Sequence, residues 1–79
     1  MEELKIMTPF IKLDQLAKYF GFADTGARAK ILIELGEFDV NNELCTKRGK
    51  KIKPGDTITF KGKKYKVVLD ENAVIPESE

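Results

Sequence analysis

The stretch Lys30–Asn42, KILIELGEFDVNN, combines two kinds of secondary structure. Its first half has the apolar spacing of an amphipathic helix, and Gly36 is placed to end that helix. Residues 38–40 then alternate apolar and polar side chains, as a short strand does. Asn41-Asn42 can take the positive φ angles of a tight hairpin turn, so a return strand is predicted over 43–46. This segment predicts a helix that leads directly into a small hairpin.

The residues before this stretch predict a strand and an earlier helix. Residues 3–7 alternate in the manner of a short edge strand. Over 12–20, apolar residues recur at i, i+3, i+4 and i+7, and Gly21 is placed to end that helix. Asp24 and Thr25 are candidate N-caps for the second helix, predicted over about 26–35.

The residues after it predict a second hairpin. Pro54-Gly55-Asp56 has the composition of a tight turn, and 57–60 and 63–68 alternate as strands. The predicted fold class is α+β, with two packed helices on a small, mainly antiparallel sheet. We expect one domain over 1–69 and a flexible acidic tail over 70–79.

Size and composition limit the kinds of function that the chain can carry. A chain of 79 residues has a small core and little room for an enclosed active site. It contains no apolar run long enough to span a membrane and no signal-peptide pattern at its start. With Cys45 as its single cysteine it forms no internal disulfide, so we expect a cytoplasmic protein.

The net charge of +1 conceals a strong segregation of charge. Residues 47–66 contain nine basic side chains and one acidic one, whereas 36–46 carry three acids and 67–79 carry four, with no base in either. Such segregation predicts one cationic face that contacts a polyanion. The plain alternative is a solvated lysine-rich surface.

The residue types that catalysis requires are scarce. The chain has no histidine, which removes the commonest general base and metal ligand. One cysteine without histidine forms neither a zinc site nor a Cys-His pair, and no phosphate loop of the Walker type is present. We therefore expect a protein that is not an enzyme and that uses no cofactor and no metal.

Several short motifs recur in the order and spacing of a known family. They are Lys12-Leu13-Asp14, Thr25, Ala29-Lys30, Leu32-Ile33, Gly36, residues 38–42 and Pro54-Gly55-Asp56. Over about residues 10–60 the chain resembles the RNA-binding domain named after ribosomal protein S-four, also called the alpha-L motif. Residues 10–16 and 24–30 are most similar to the small free-standing members called YaaA-like, which end after a basic hairpin with no catalytic domain.

The resemblance implies that the polar faces of two helices and a basic loop bind structured RNA, such as ribosomal or transfer RNA. The backbone N–H groups after Thr25 form a natural anion site at a helix start, and residues 47–51 form a flexible cationic loop suited to phosphates. The candidate RNA-binding residues are Lys12, Lys18, Thr25, Gly26, Arg28, Lys30, Asn41, Lys47, Arg48, Lys50 and Lys51.

Each candidate also has a purely structural interpretation. The helix lysines could be solvated, Arg28 could pair with Asp24 or Glu34, and Asn41 could serve only the turn. Many family members carry arginine where this chain has Gly26, which leaves the usual contact set incomplete. Tyr19, Phe22 and Tyr65 could stack on bases, but packing in the core or at its boundary is expected for all three.

Two other partner classes remain open at the level of sequence. A protein–protein adaptor in ribosome assembly or DNA replication would use its lysines only for solubility and would depend on an apolar patch. DNA is the weaker nucleic-acid candidate. No membrane partner is expected.

Overall fold

The computed structural model describes residues 1–73, so residues 74–79 of the expected acidic tail lie outside the described part. The chain forms seven strands and two helices within this part. In chain order they are β1 (Glu2–Ile6), β2 (Ile11–Lys12), α1 (Leu13–Tyr19), α2 (Gly26–Glu34), β3 (Phe38–Val40), β4 (Glu43–Leu44), β5 (Lys51–Ile52), β6 (Thr57–Phe60) and β7 (Lys63–Leu69).

The larger sheet contains five strands in the order β1-β7-β6-β3-β4. All neighbours are antiparallel except β1 and β7, which run parallel with Glu2 opposite Tyr65 and Ile6 opposite Leu69. The predicted α+β class with a mainly antiparallel sheet is confirmed.

The two helices follow from local sequence signals. In α1, Leu13, Leu16 and Ala17 are buried on one face, and Gly21 with φ of 81° follows its end. In α2, Thr25 is the N-cap, and its hydroxyl oxygen accepts a hydrogen bond from the backbone N–H of Arg28 at 3.1 Å. This bond satisfies one of the amides that a helix start leaves without an intrahelical partner.

The core lies between the helices and one face of the large sheet. Phe22, from the loop between the helices, packs against three aromatic rings of the sheet, those of Phe38, Phe60 and Tyr65. The rings of Phe38 and Phe60 stack with centroids 4.5 Å apart. Burying one phenylalanine contributes roughly 1.5–3 kcal/mol, so this cluster is a major source of stability for a small domain.

The opposite face of the large sheet is polar. Tyr65 and Val67 in β7 point into the core, so Lys64 and Lys66 point away from the helices. These two lysines therefore lie on the face that the helices do not cover.

A second sheet, which the sequence pattern does not predict, joins β2 to β5. Its two residue pairs are Ile11 opposite Ile52 and Lys12 opposite Lys51. Ile52 is fully buried and Ile11 packs against the core, so the apolar pair anchors this sheet and the two lysines remain exposed.

The start of the expected tail is hydrogen-bonded. The backbone N–H of Asp70 donates to the Ile6 carbonyl at 2.8 Å, and that of Asn72 donates to the Asp70 carboxylate at 2.7 Å. Residues 70–73 thus form a turn beside the end of β1.

Candidate nucleic-acid interface

The basic segment 47–51 is fastened to the start of α1 through its backbone. The N–H groups of Leu13 and Asp14 donate to the carbonyls of Lys50 and Arg48, at 2.9 and 3.0 Å. The first amides of a helix lack intrahelical acceptors, and Lys12 at the N-cap provides no side-chain cap bond. The loop carbonyls take that role, which fixes the backbone of Arg48 and Lys50 beside the start of α1.

The loop also contains hydrogen bonds within itself. The Lys50 N–H donates to the Lys47 carbonyl at 3.2 Å, and the Cys45 thiol contacts the same carbonyl at 3.6 Å. Cys45 is half-buried against the core. The cations of this loop therefore project from an ordered turn.

Lys12 and Lys51 are brought together by the β2–β5 pairing. They are directly opposed in an antiparallel ladder, where Cβ atoms are about 4.5–5.5 Å apart. Like charges at this distance repel, and a phosphate bound between them would offset the repulsion. This juxtaposition favours an anion site.

The candidates on α2 are exposed, and α2 packs against α1. Within residues 1–73 no hydrogen bond joins α2 to the loop 47–51. Arg28, Lys30 and Gly26 are all exposed, and a Cβ added at Gly26 would meet no atom within 4 Å. Lys18 is likewise exposed, in the last turn of α1.

The alternative ion pairs of Arg28 do not form. In the described part of the chain the ion pair present joins Lys63 and Glu2 at 3.2 Å, and it involves neither Asp24 nor Glu34. The guanidinium of Arg28 is therefore available for a ligand.

Asn41 has a structural task in addition to its place in the turn. Its φ is 54° and that of Asn42 is 68°, as the predicted hairpin requires. The Asn41 side-chain oxygen accepts from the Thr57 N–H at 2.9 Å, and its amide group donates to the Asp56 carboxylate at 3.2 Å. The side chain thus ties the hairpin to β6.

Two adjacent grooves run along this face and share Asn41 and Lys50 as walls. One, of about 260 Å³, lies along β4 and the start of the loop. The other, of about 760 Å³, is lined by Phe10 and Lys53 in addition to the loop. Sequence reasoning missed both residues as site candidates, because Phe10 resembles an ordinary core residue and Lys53 lies just outside the densest cluster.

The aromatic residues divide differently from the expectation. Phe22 and Tyr65 belong to the core, but Tyr19 is 65% exposed, so its expected place in the core or at its boundary is wrong. In α1, Tyr19 falls one residue before the apolar position Phe20, and the rings of the two pack edge to face at 4.9 Å.

One polar atom beneath the loop has no partner. Oδ1 of Asp14 is buried and makes no hydrogen bond within the described residues, while the backbone N–H of the same residue holds Arg48. In the first turn of α1, the helix dipole favours this carboxylate. It lies below the cationic loop.

Residues 1–73 contain no group of three or more acidic or cysteine side chains placed to hold a metal ion. None of their helices has the length and apolar character needed to cross a bilayer.

A family model described as the S4 domain matches residues 4–68, which include both helices, the basic loop, the small sheet and most of the large sheet. The chain belongs to the S4 domain family. The resemblance drawn from the short motifs is confirmed.

Relatives of this S4 domain include YbcJ of Escherichia coli (strain K12), named "Putative RNA-binding protein YbcJ". It is 37% identical over 60 residues, which cover 76% of this chain and 86% of the relative. A YbcJ protein of Shigella flexneri matches to the same extent.

A solved structure supports the same assignment. The solution structure of YbcJ from E. coli, described as having an alfaL motif involved in RNA-binding, matches with a TM-score of 0.59 and 34% identity. The match covers 85% of this chain and 84% of that one. The arrangement of two helices on the sheet in this S4 domain is thus shared with a protein whose motif is described in terms of RNA.

Proposed function

We propose that this S4 domain binds structured RNA, of the ribosomal or transfer class, without catalysing a reaction. The cationic face is defined as Lys12 and the loop 47–51. The contacting surface consists of this face and the exposed cations of α1 and α2. The observation that carries the proposal is the pair of hydrogen bonds from the first amides of α1 to the Arg48 and Lys50 carbonyls. These bonds fix the basic loop beside Lys12.

Exposed cations on a loop that is hydrogen-bonded to a helix suit an RNA helix. Its deep, narrow major groove hides the base edges, so proteins recognise it mainly through shape, phosphates and 2′-OH groups. The cationic face offers lysine and arginine side chains and no enclosed pocket, which matches backbone contacts better than base readout. DNA would share the phosphates but not the 2′-OH groups, so we expect it to compete weakly.

The start of α2 adds a second phosphate contact to this proposal. Its unpartnered amides carry the positive end of the helix dipole, and Gly26 has no side chain to obstruct a phosphate. Arg28, which is exposed, presents a planar group that can hold a phosphate through two hydrogen bonds. Lys18, Lys30 and Asn41 are further candidate contacts. Asn41 can contact RNA only through the hydrogen-bonding capacity of its side chain that the bonds to Asp56 and Thr57 do not use.

The test is a titration of a labelled RNA stem-loop with this protein, followed by fluorescence anisotropy at two salt concentrations. A matching DNA hairpin serves as the competitor. We expect a Kd of roughly 10⁻⁴ to 10⁻⁶ M at physiological salt for binding without sequence preference, and a tighter Kd for a cognate RNA. The affinity should fall steeply as salt rises.

Two double variants locate the contact. Lys47→Ala with Arg48→Ala removes two cations but retains the backbone carbonyls that cap α1, so the fold should persist. Lys64→Ala with Lys66→Ala removes the same charge from the opposite face of the large sheet. Only the first should weaken RNA binding; equal loss in both would reduce the proposal to nonspecific charge attraction.

An exposed apolar patch supports a second candidate, a protein–protein adaptor in ribosome assembly or DNA replication. Ile31 and Leu35, four residues apart on α2, are 49% and 70% exposed, and Leu44 is 66% exposed. The Leu44 side chain lies close to Gly36, 3.3 Å from where a Cβ at that residue would be. Gly36 follows Leu35 in the chain, so Leu44 lies near the end of α2. An adaptor would tolerate the Lys47 and Arg48 variants and lose its partner on Leu35→Ser.

We propose the cytoplasm as the place of action. The half-buried thiol of Cys45 is free, which fits a reducing compartment. Fractionation of cells that produce the protein, with detection in the soluble and membrane fractions, tests this location.

A further inference from the structure

The larger groove beside the cationic face has two chemically different walls. Phe10, which is 43% exposed, and Pro9 form an apolar wall. Lys50, Lys51 and Lys53 form a cationic wall on the same groove of about 760 Å³. This volume lies within the range of roughly 300–1,000 Å³ that is usual for small-ligand sites.

Phe10 is already engaged by a cation. The ammonium nitrogen of Lys51 lies 5.0 Å from the centre of the Phe10 ring, which is a cation–π distance. The ammonium lies over one face of the ring, and because Phe10 is 43% exposed the ring keeps surface that a base can contact. A nucleotide has the complementary parts, because its base stacks on an aromatic face and its phosphate pairs with a lysine.

Asp56 is the one acidic residue among those that line this groove, and its carboxylate is already hydrogen-bonded. Both oxygens of Asp56 accept hydrogen bonds, one from the Asn41 amide at 3.2 Å and one from the Lys53 N–H at 2.9 Å. These bonds hold the carboxylate in place within the turn. The side chains of Lys50, Lys51 and Lys53 remain exposed.

We infer that this groove binds one unpaired nucleotide next to the RNA stem, with its base against Phe10 and its phosphate on Lys51. A base within a duplex has no free face, so the nucleotide must be a bulge, an overhang or the first residue of a loop. Lys51 belongs both to this groove and to the Lys12–Lys51 pair, so the unpaired nucleotide would lie where the strand leaves the stem. This inference rests on the proposed function and specifies the class of RNA.

The experiment compares two hairpins of the same stem, one blunt and one with a short overhang that contains 2-aminopurine at the position next to the stem. Both strand polarities of the overhang are used. We expect the protein to bind one overhang hairpin about five- to a hundredfold more tightly than the blunt hairpin, which corresponds to one stacked base. The 2-aminopurine emission should change on binding, because the base exchanges its stacking on the stem for stacking on the Phe10 ring.

Three variants assign the effect to the ring. Phe10→Leu should reduce the ratio of overhang affinity to blunt affinity to about one. Phe10→Tyr should retain the preference. Tyr19→Leu removes an exposed aromatic ring that does not line this groove and should change neither affinity.

The outcomes separate this inference from the proposed function. If the blunt hairpin binds with salt dependence and neither overhang adds affinity, the nucleotide site is wrong and RNA binding stands. The site is also wrong if Phe10→Leu weakens both hairpins equally. If neither RNA binds at low salt, both proposals fail.

Discussion

Lys12 and Lys51 are directly opposed residues of the two-stranded β2–β5 sheet, and both side chains are exposed. In the free protein this pair is unfavourable, since opposed like charges destabilise a ladder. In a complex with RNA the same pair would be favourable. The two lysines should therefore affect stability and binding in opposite directions.

Replacing Lys12 tests this opposition. We expect Lys12→Gln to raise the free energy of unfolding by about 0.2–1 kcal/mol, because the repulsion with Lys51 is removed. The same change should weaken RNA binding and reduce the slope of log Kd against log salt by about 1 if one phosphate contact is lost. Urea denaturation and anisotropy titrations measure the two effects.

The matched control is Lys64→Gln, because Lys64 is opposite Thr59 and lies on the sheet face away from the helices. It should alter neither quantity beyond a few tenths of a kcal/mol. A Lys12 variant that loses both stability and RNA affinity would contradict the repulsive pairing.

Gly26 offers a gain of function. Its conformation is helical and a side chain there meets open space, so Gly26→Arg should be accommodated without strain. Many family members have arginine at this position. We expect severalfold tighter RNA binding and a salt slope steeper by about 1, measured by anisotropy at a series of salt concentrations.

Gly26→Ala separates the two effects of that change. Both substitutions should stabilise α2 by up to about 1 kcal/mol, because glycine is a poor helix former. Only arginine should increase RNA affinity. An equal gain in affinity with alanine would show that α2 acts through its stability and not through a phosphate contact.

Asn41 should prove more important for stability than for binding. Asn41→Ala removes the acceptor of the Thr57 N–H and places a residue with a Cβ and no polar group at φ of 54°. We expect a loss of about 1–3 kcal/mol in the free energy of unfolding, measured by thermal or urea denaturation. Asn42→Gly, at the next turn position, should be neutral or slightly stabilising, because Asn-Gly is a preferred hairpin turn. RNA affinity lost without any loss of stability would instead make Asn41 a direct contact.

The N-cap of α2 provides a fourth test. Thr25→Ala removes the oxygen that accepts the Arg28 N–H and should cost about 1 kcal/mol of stability. Thr25→Ser retains the oxygen and should retain most of the stability. A similar loss in both variants, seen as equal shifts of the urea midpoint, would mean that packing of the Thr25 methyl group and not the cap is responsible.

Local patterns predicted most of the elements. The predicted helices over 12–20 and 26–35 are Leu13–Tyr19 and Gly26–Glu34, and the Asn41-Asn42 hairpin forms as expected. These elements depend on spacing, caps and turn residues that lie close together in the chain. Two-residue strands such as β2 and β5 contain no such periodicity, so the small sheet was not predictable from pattern.

The sequence predicted which residue types form the candidate site, but it did not predict how those residues are arranged in space. The density of cations at 47–51 identified the loop, but its attachment to α1 uses the carbonyls of Arg48 and Lys50, and every residue type has a carbonyl. The position of Phe10 beside Lys51 depends on the same attachment. The roles of the individual side chains in RNA binding remain predictions.

The parallel pairing of β1 with β7 affects the order of folding during synthesis. Glu2 is opposite Tyr65 and Ile6 is opposite Leu69, so the first strand described in this domain pairs with the last one described. Contacts this distant in sequence form slowly, because a long loop must close first. The residues of the cationic face end at Lys51, so they are synthesised before β7. A nascent chain would thus expose its basic loop to nearby polyanions while β1 still has an unpaired edge.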